Sequence, residues 1–283
     1  MMKITPLIFE TWKMDGGVAF GVVPKSIWNK LYPSDENNLL TIVNRCLLIE
    51  TEKKKILVNT GYGNKRNEKY YQFKYIQSSV SVKEALQKQG CSTEEITDVV
   101  LTHLHDDHCG GTTFRDTKSD LLLPVFENAI FFISQKQWKW ALYPNSRESA
   151  SFFPDNLIPL ENSGRLHLIQ ENEQVLASDN IQFEFVNGHT EGQLLIYMSV
   201  GENTVVYMSD FIPSTAHIPL PYIASVDIQP LIALKEKEEF LERAAKNNYI
   251  LLFEHDFYTE ACTIIKGERG YAVSKKGALQ DFL

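Results

Sequence analysis

The stretch LTHLHDDHCGG, residues 101–111, constrains this chain more than any other part of it. It follows the apolar run Val99-Val100-Leu101 and sets three of the chain's seven histidines beside two aspartates. A buried strand has no use for imidazole and carboxylate groups without partners, and a solvated turn has no use for three histidines. On an extended segment, residues spaced by two project to the same side, so His103, His105 and Asp107 are expected to point together. His108 comes where the chain must already be turning, and Gly110-Gly111 let the backbone pass close by without side-chain bulk. Imidazole clustered with carboxylate is the donor set of a metal site, which raises the question of whether the chain supplies the remaining donors.

It does so at three later points. The run Ile181–Val186 leads into Asn187-Gly188-His189-Thr190, the run 204–209 into Asp210, and the run 249–253 into Glu254-His255-Asp256. Each places a donor just past the C-terminal end of an apolar strand, and donors at one sheet edge can converge on a cleft. The candidates are then His103, His105, Asp107, His108, His189, Asp210 and His255. A tetrahedral ion takes about four ligands, so this set suits two ions sharing a carboxylate. Imidazole with carboxylate and no thiolate fits Zn²⁺ first, with Mn²⁺, Fe²⁺ or Co²⁺ as alternatives. Cys109 adjoins the cluster, but its place after the turn suits a small packing residue. His167, inside RLHLIQ, reads as structural, whereas His217, soon after Asp210, leaves a pocket role open.

Composition narrows the function classes. The 283-residue chain carries a formal charge of −8 and no dense basic block, which disfavours a nucleic-acid or anionic-membrane surface. No run approaches the ~20 apolar residues of a membrane span. The opening MMKITPLIFETWK is cut by Thr5, Pro6 and Glu10 and lacks the apolar stretch of a signal peptide. Cys46, Cys91, Cys109 and Cys262 are scattered, with no CxxC pair, and read as reduced thiols of a cytoplasmic protein.

Strand-like runs occupy residues 4–11, 18–23, 40–50, 55–59, 98–101, 129–134, 181–186, 194–200, 204–209 and 249–253. Ser81-x-x-Glu84 and Ser92-x-x-Glu95 are capping boxes, with Gly90 as the first helix's stop. A helix over 233–247 is expected to bury Leu234, Phe240, Leu241 and Ala244 and to turn its Lys and Glu outward. The mixture suggests sheets covered by helices in one α/β domain spanning 1–283. Residues 135–160 have no clean period. They read either as a packed helix and loop or as a pocket-capping insertion walled by Trp138, Trp140, Phe152 and Phe153.

THLHDDH with Gly110-Gly111, then GHTEG at 188–192, Asp210 and His255 in that order resemble the metallo-β-lactamase superfamily. The resemblance runs from about residue 40 to 256 and implies a four-layer αββα sandwich with a binuclear site at one edge of the paired sheets. It implies that His103, His105 and His189 hold one metal, that Asp107, His108 and His255 hold the other, and that Asp210 bridges them. GVVPKSIWNKLYPSDENN at 21–38 further resembles the branch holding methyl parathion hydrolase and the quorum-quenching lactonases. Three positions depart from the pattern. Asn59-Thr60-Gly61 stands where the family commonly has D-T-G, so the donor there carries no charge. Gln193 replaces a frequent histidine, and Pro213 stands where the homoserine-lactone lactonases carry a tyrosine. Tyr222 is a substitute phenol to consider.

The implied chemistry is hydrolysis: a hydroxide bridging two metals attacks a carbonyl or phosphoryl centre, with Asp107 orienting it and protonating the leaving alkoxide. No G-x-S-x-G nucleophile motif competes with it. Aromatic residues such as Phe20 and Trp28 favour a small apolar substrate, namely a lactone, ester or phosphotriester. The rival readings are an iron-dependent redox enzyme of persulfide dioxygenase type, a nuclease, and a metal-stabilised binding protein. Dimerisation is common in the family, and no stripe in this sequence demands it.

Overall fold

The computed structural model describes residues 2–176 and 179–283. The chain forms two compact units, one from the residues up to Thr11 with Asn44–Glu173, the other from Trp12–Val43 with Gln174–Leu283. Its strands are β1 (Lys3–Asp15), β2 (Leu39–Glu50), β3 (Lys55–Val58), β4 (Ser78–Ser79), β5 (Asp98–Val100), β6 (Thr113–Arg115), β7 (Leu122–Pro124), β8 (Ile130–Ser134) and β9 (Leu166–Ile169). They continue with β10 (Ile181–Val186), β11 (Gln193–Val200), β12 (Asn203–Tyr207), β13 (Ile250–Leu252), β14 (Ala261–Gly267) and β15 (Gly270–Gly277).

A seven-stranded sheet has the order β4-β1-β2-β3-β5-β8-β9. β3, β5, β8 and β9 are parallel, so their C-terminal ends lie along one edge. The register pairs Val58 with Val100, which brings Asn59 level with the start of the histidine-rich stretch. In the first unit, helices Val82–Lys88, Gln135–Leu142 and Pro154–Asn162 bury Leu86, Trp138 and Leu160 with Leu57, Val99 and Phe131 of the sheet. The Ser81 capping box forms as the sequence indicates, its side chain accepting from Glu84 N. The Ser92 box caps a single 3₁₀ turn.

The second unit carries a six-stranded sheet in the order β10-β11-β12-β13-β14-β15. β10–β11 and β11–β12 are antiparallel and β12–β13 parallel, so β10, β12 and β13 point the same way. Helix Pro230–Asn247 packs Phe240, Leu241 and Ala244 against Leu195, Val206 and Leu251. Each such side chain removed from water contributes about 1.5–3 kcal/mol if large and apolar.

Three sequence expectations fail here. The run at 18–23 is not a strand: Gly16–Phe20 forms a short helix, because the Asp15 carboxylate accepts from Gly17 N at 2.7 Å and Val18 N at 3.3 Å. Local capping outweighs the β-branched composition. Along the long helix, Leu234 is only half-buried, while Lys237 is buried and donates to the Pro219, Leu220 and Tyr222 carbonyls. Beyond residue 253 the sequence reading placed no strand, yet β14 and β15 form a hairpin.

Candidate metal centre

In the first unit the cluster begins three residues past the end of β5, at His103. The extended spacing expected for 103–107 holds only as far as His105, which caps a one-turn helix, Asp106–Cys109. The helix separates the two neighbouring aspartates. Asp106 turns into its own unit, bound by Arg66 Nη2 at 3.0 Å, Asn156 Nδ2 at 2.8 Å and the Tyr70 hydroxyl. Asp107 stays on the histidine side, with Oδ2 3.6 Å from His108 Nε2. His103 Nε2 and His105 Nδ1 face each other at 3.1 Å, and the His103 and His108 rings are 3.9 Å apart. Gly111 allows the turn to close, since a Cβ there would sit 2.2 Å from the Thr60 carbonyl oxygen.

In the second unit His189, Asp210 and His255 each stand three residues past a strand, β10, β12 and β13 respectively. The shared strand direction carries all three to one edge of the sheet. Asp210 Oδ2 lies 3.1 Å from His189 Nε2, and Asp210 Oδ1 lies 2.7 Å from His255 Nε2. Ser209, at φ 44, is left-handed immediately before Asp210, a strained conformation for a residue with a side chain. With its amide oxygen turned towards them, Gln193 accepts from Asp210 N at 3.2 Å and Phe211 N at 3.1 Å. The residue that replaces the family's frequent histidine thus holds the loop that carries Asp210.

The outer nitrogens bear on whether these rings could take a metal. His105 Nε2 donates to Glu148 Oε1 at 2.8 Å, His189 Nδ1 to Asp227 Oδ1 at 2.9 Å, and His255 Nδ1 to the Val43 carbonyl at 2.8 Å. A carboxylate or carbonyl can only accept, so in the neutral ring the inner nitrogen is the one that keeps a lone pair. Burial works against a charge on His189, but Asp210 and then Asp227 outweigh it and lift the imidazole's pKa to about 10. The arrangement calls for a cation between ring and carboxylate, whether a proton or a metal ion. Tetrahedral ligands about 2.0–2.1 Å from Zn²⁺ lie about 3.3 Å from each other. The spacings within each unit, 3.1 Å between His103 and His105 and 3.1 Å between His189 and Asp210, fit such an ion.

Glu148 and Asp227 escaped the sequence reading, and no local pattern marks either. Glu148 is buried and also accepts from Trp140 Nε1 at 2.6 Å. Trp138 and Phe152 of the same segment belong to the first unit's core. Phe20 and Trp28, expected to favour an apolar substrate, are buried and stack on each other at 4.9 Å. His217 is part of that stack, its Nε2 donating to the Ala19 carbonyl at 2.9 Å, and burial lowers its pKa to about 4. His167 pairs with Glu173 at 2.7 Å on a half-exposed strand. Cys109 is fully buried, its thiol donates to the Leu104 carbonyl, and desolvation raises its pKa, so it is no thiolate. All four cysteines are free and buried. Among the described residues no helix is long and apolar enough to cross a membrane.

A model of the metallo-beta-lactamase superfamily matches residues 42–255. The chain is 22% identical over 232 residues to the N-acyl homoserine lactonase AiiA of Bacillus thuringiensis subsp. kurstaki, covering 78% of this chain and 84% of that one. A probable metal-dependent hydrolase from Staphylococcus aureus shares the fold with a TM-score of 0.86 at 28% identity, over 97% of both chains. AidC, a dizinc quorum-quenching lactonase solved with a product, gives a TM-score of 0.80 at 22% identity, over 98% of this chain and 95% of that one. The mixed α/β fold that the resemblance implied is the one these neighbours have. The stretch that the family model matches contains every candidate ligand, and the chain belongs to the metallo-beta-lactamase superfamily.

Proposed function

We propose that this chain is a binuclear metal-dependent hydrolase that opens a neutral ester, lactone or phosphotriester. The observation that carries the reading is Asp210, whose two carboxylate oxygens separately meet His189 Nε2 and His255 Nε2. A carboxylate divided in this way between two imidazoles suits a bridge between two ions. In the proposed assignment His103, His105 and His189 hold one ion, Asp107, His108 and His255 the other, and Asp210 both. In this reading residues 1–283 form one hydrolase domain. Zinc is the first candidate because the donors are imidazole and carboxylate, without thiolate. Two such ions supply a water acidified towards neutrality and polarise the carbonyl or phosphoryl oxygen.

Within this assignment the Asp107 carboxylate orients the attacking water, takes up its proton and returns it to the leaving oxygen. Glu148, Asp227 and the Val43 carbonyl keep their histidines in the ligand tautomer. The charge of −8 disfavours anionic polymers as substrates, and relatives named as N-acyl homoserine lactonases support a small neutral substrate. The test is elemental analysis of purified protein together with a screen over lactones, thioesters, aryl esters and phosphotriesters. Two ions per chain and turnover of at least one class are expected. A single ion held by three histidines alone, or no turnover by metal-replete protein, would sink the reading.

A further inference from the structure

Four of the five proposed ligand histidines have an outer nitrogen facing a group able to accept its proton. These are Glu148 for His105, Asp227 for His189, the Val43 carbonyl for His255 and the Thr102 hydroxyl for His103. His108 is different. Its Nδ1 lies 3.1 Å from Asn59 Nδ2, the nitrogen of the amide.

The orientation of that amide is fixed by its other contacts. Thr102 N donates to Asn59 Oδ1 at 2.9 Å, and Asn59 Nδ2 donates to Thr102 Oγ1, also at 2.9 Å. Turning the amide over would set its NH₂ against the Thr102 N–H, donor against donor. The remaining amide hydrogen therefore points at His108 Nδ1, which must accept it. A neutral ring that accepts at Nδ1 carries its own proton on Nε2. Nε2 is the nitrogen that faces Asp107.

We propose that Asn59 holds His108 as its Nε2–H tautomer and so makes the Asp107–His108–His255 position the weaker of the two metal positions. The inference rests on the binuclear reading above and adds an inequality that this reading does not contain. To bind a metal through Nε2, the ring must move its proton to Nδ1, against the amide N–H, or give the proton up. The outer nitrogens of the other proposed ligand rings each face a group that can accept. An aspartate at position 59 would accept both the Thr102 N–H and a proton on His108 Nδ1. The backbone tolerates that change, since Asn59 sits at φ 58, a left-handed conformation that Asn and Asp both adopt.

The experiment is a zinc titration of the full chain, stripped with a chelator and checked for folding, in competition with a chromophoric chelator. The wild-type chain is expected to bind in two unequal steps, and Asn59→Asp should tighten the weaker step by about 10–100-fold while barely moving the tighter one. His108→Ala should abolish the weaker step alone. Equal steps in the wild type, or a weaker step that Asn59→Asp leaves unchanged, would overturn the inference while leaving two ions in place. Failure of the wild type to bind a second zinc at any concentration would instead defeat the binuclear reading, and the inference with it. Should Asn59→Asp not fold, ¹⁵N–¹H correlation of the stripped wild-type chain decides. A proton on His108 Nε2 supports the inference, and one on Nδ1 overturns it.

Discussion

Asp106 and Asp107 are chain neighbours of the same chemistry, and one helical turn assigns them different work. Asp106 spends its carboxylate on Arg66, Asn156 and Tyr70, whereas Asp107 remains beside His108. If Asp107 moves the proton, Asp107→Asn in metal-replete protein should lower kcat about 10²–10⁴-fold with little change in KM. Steady-state kinetics with metal content measured on the same sample checks this, and a loss confined to KM would show a binding role instead. Glu10 offers a second test at this scale. Burial raises its pKa to about 8, despite hydrogen bonds from Asn44 and the Tyr62 and Gly63 backbone that pull it down. The unfolded carboxyl releases its proton near the ordinary value of 4.5 and the folded one only near 8. Between those values the folded chain binds more protons at this group, so Glu10's contribution to stability is full below about 4.5 and is lost as pH rises through 8. Glu10→Gln should flatten that slope. Urea midpoints at several pH values would show it, and equal slopes in the two proteins would count against Glu10 as its source.

The proposed ligands sit on the short loops that leave β5, β10, β12 and β13, and buried acidic side chains outside the proposed set hydrogen-bond to these segments. Asp256 is the clearest case: it accepts from Thr215 N at 2.8 Å, Thr215 Oγ1 at 2.7 Å, Tyr258 N at 2.9 Å and Thr259 N at 2.8 Å. Asp256→Ala would take the acceptor from these donors; a buried unsatisfied group such as Thr259 N costs about 1–3 kcal/mol and the part-exposed ones at Thr215 and Tyr258 less, so a drop of about 1–3 kcal/mol is expected. Hydrogen exchange should quicken first at Thr215 and Thr259, and unaltered protection there would refute the assignment. What could be read from the sequence follows the same division. The candidate donors are legible because His and Asp stand out just after apolar runs. Their supports are not, since Glu148 lies 43 positions from His105 and Asp227 lies 38 from His189. Asp106–Cys109 is too short to carry a period, and at 18–23 the Asp15 cap decided against the β-branched residues.

At the scale of the whole molecule, the question is which bond the proposed centre breaks fastest. The family motif accounts for the proposed metal ligands but not for a group to steady the charge developing on the substrate. At the position where the lactonases carry a tyrosine stands Pro213, which has no donor at all. Nearby, Phe211 and Ile212 are buried apolar residues, and Tyr222 contributes its carbonyl to Lys237. Removing one such donor typically costs about 10²–10³ in kcat. That loss matters most for a poor leaving group, whose departure needs the most help. Aryl esters, phosphotriesters and activated lactones should therefore react faster than unactivated N-acyl homoserine lactones, by about 10²-fold if the missing donor is the only difference. Comparing kcat/KM across matched substrates on one metal-replete preparation measures the ratio. Rates on the homoserine lactones equal to those on the aryl esters would mean that another donor has replaced the tyrosine. Tyr222→Phe is the first variant to make in that case, because a selective loss of lactonase turnover would identify its phenol as that donor.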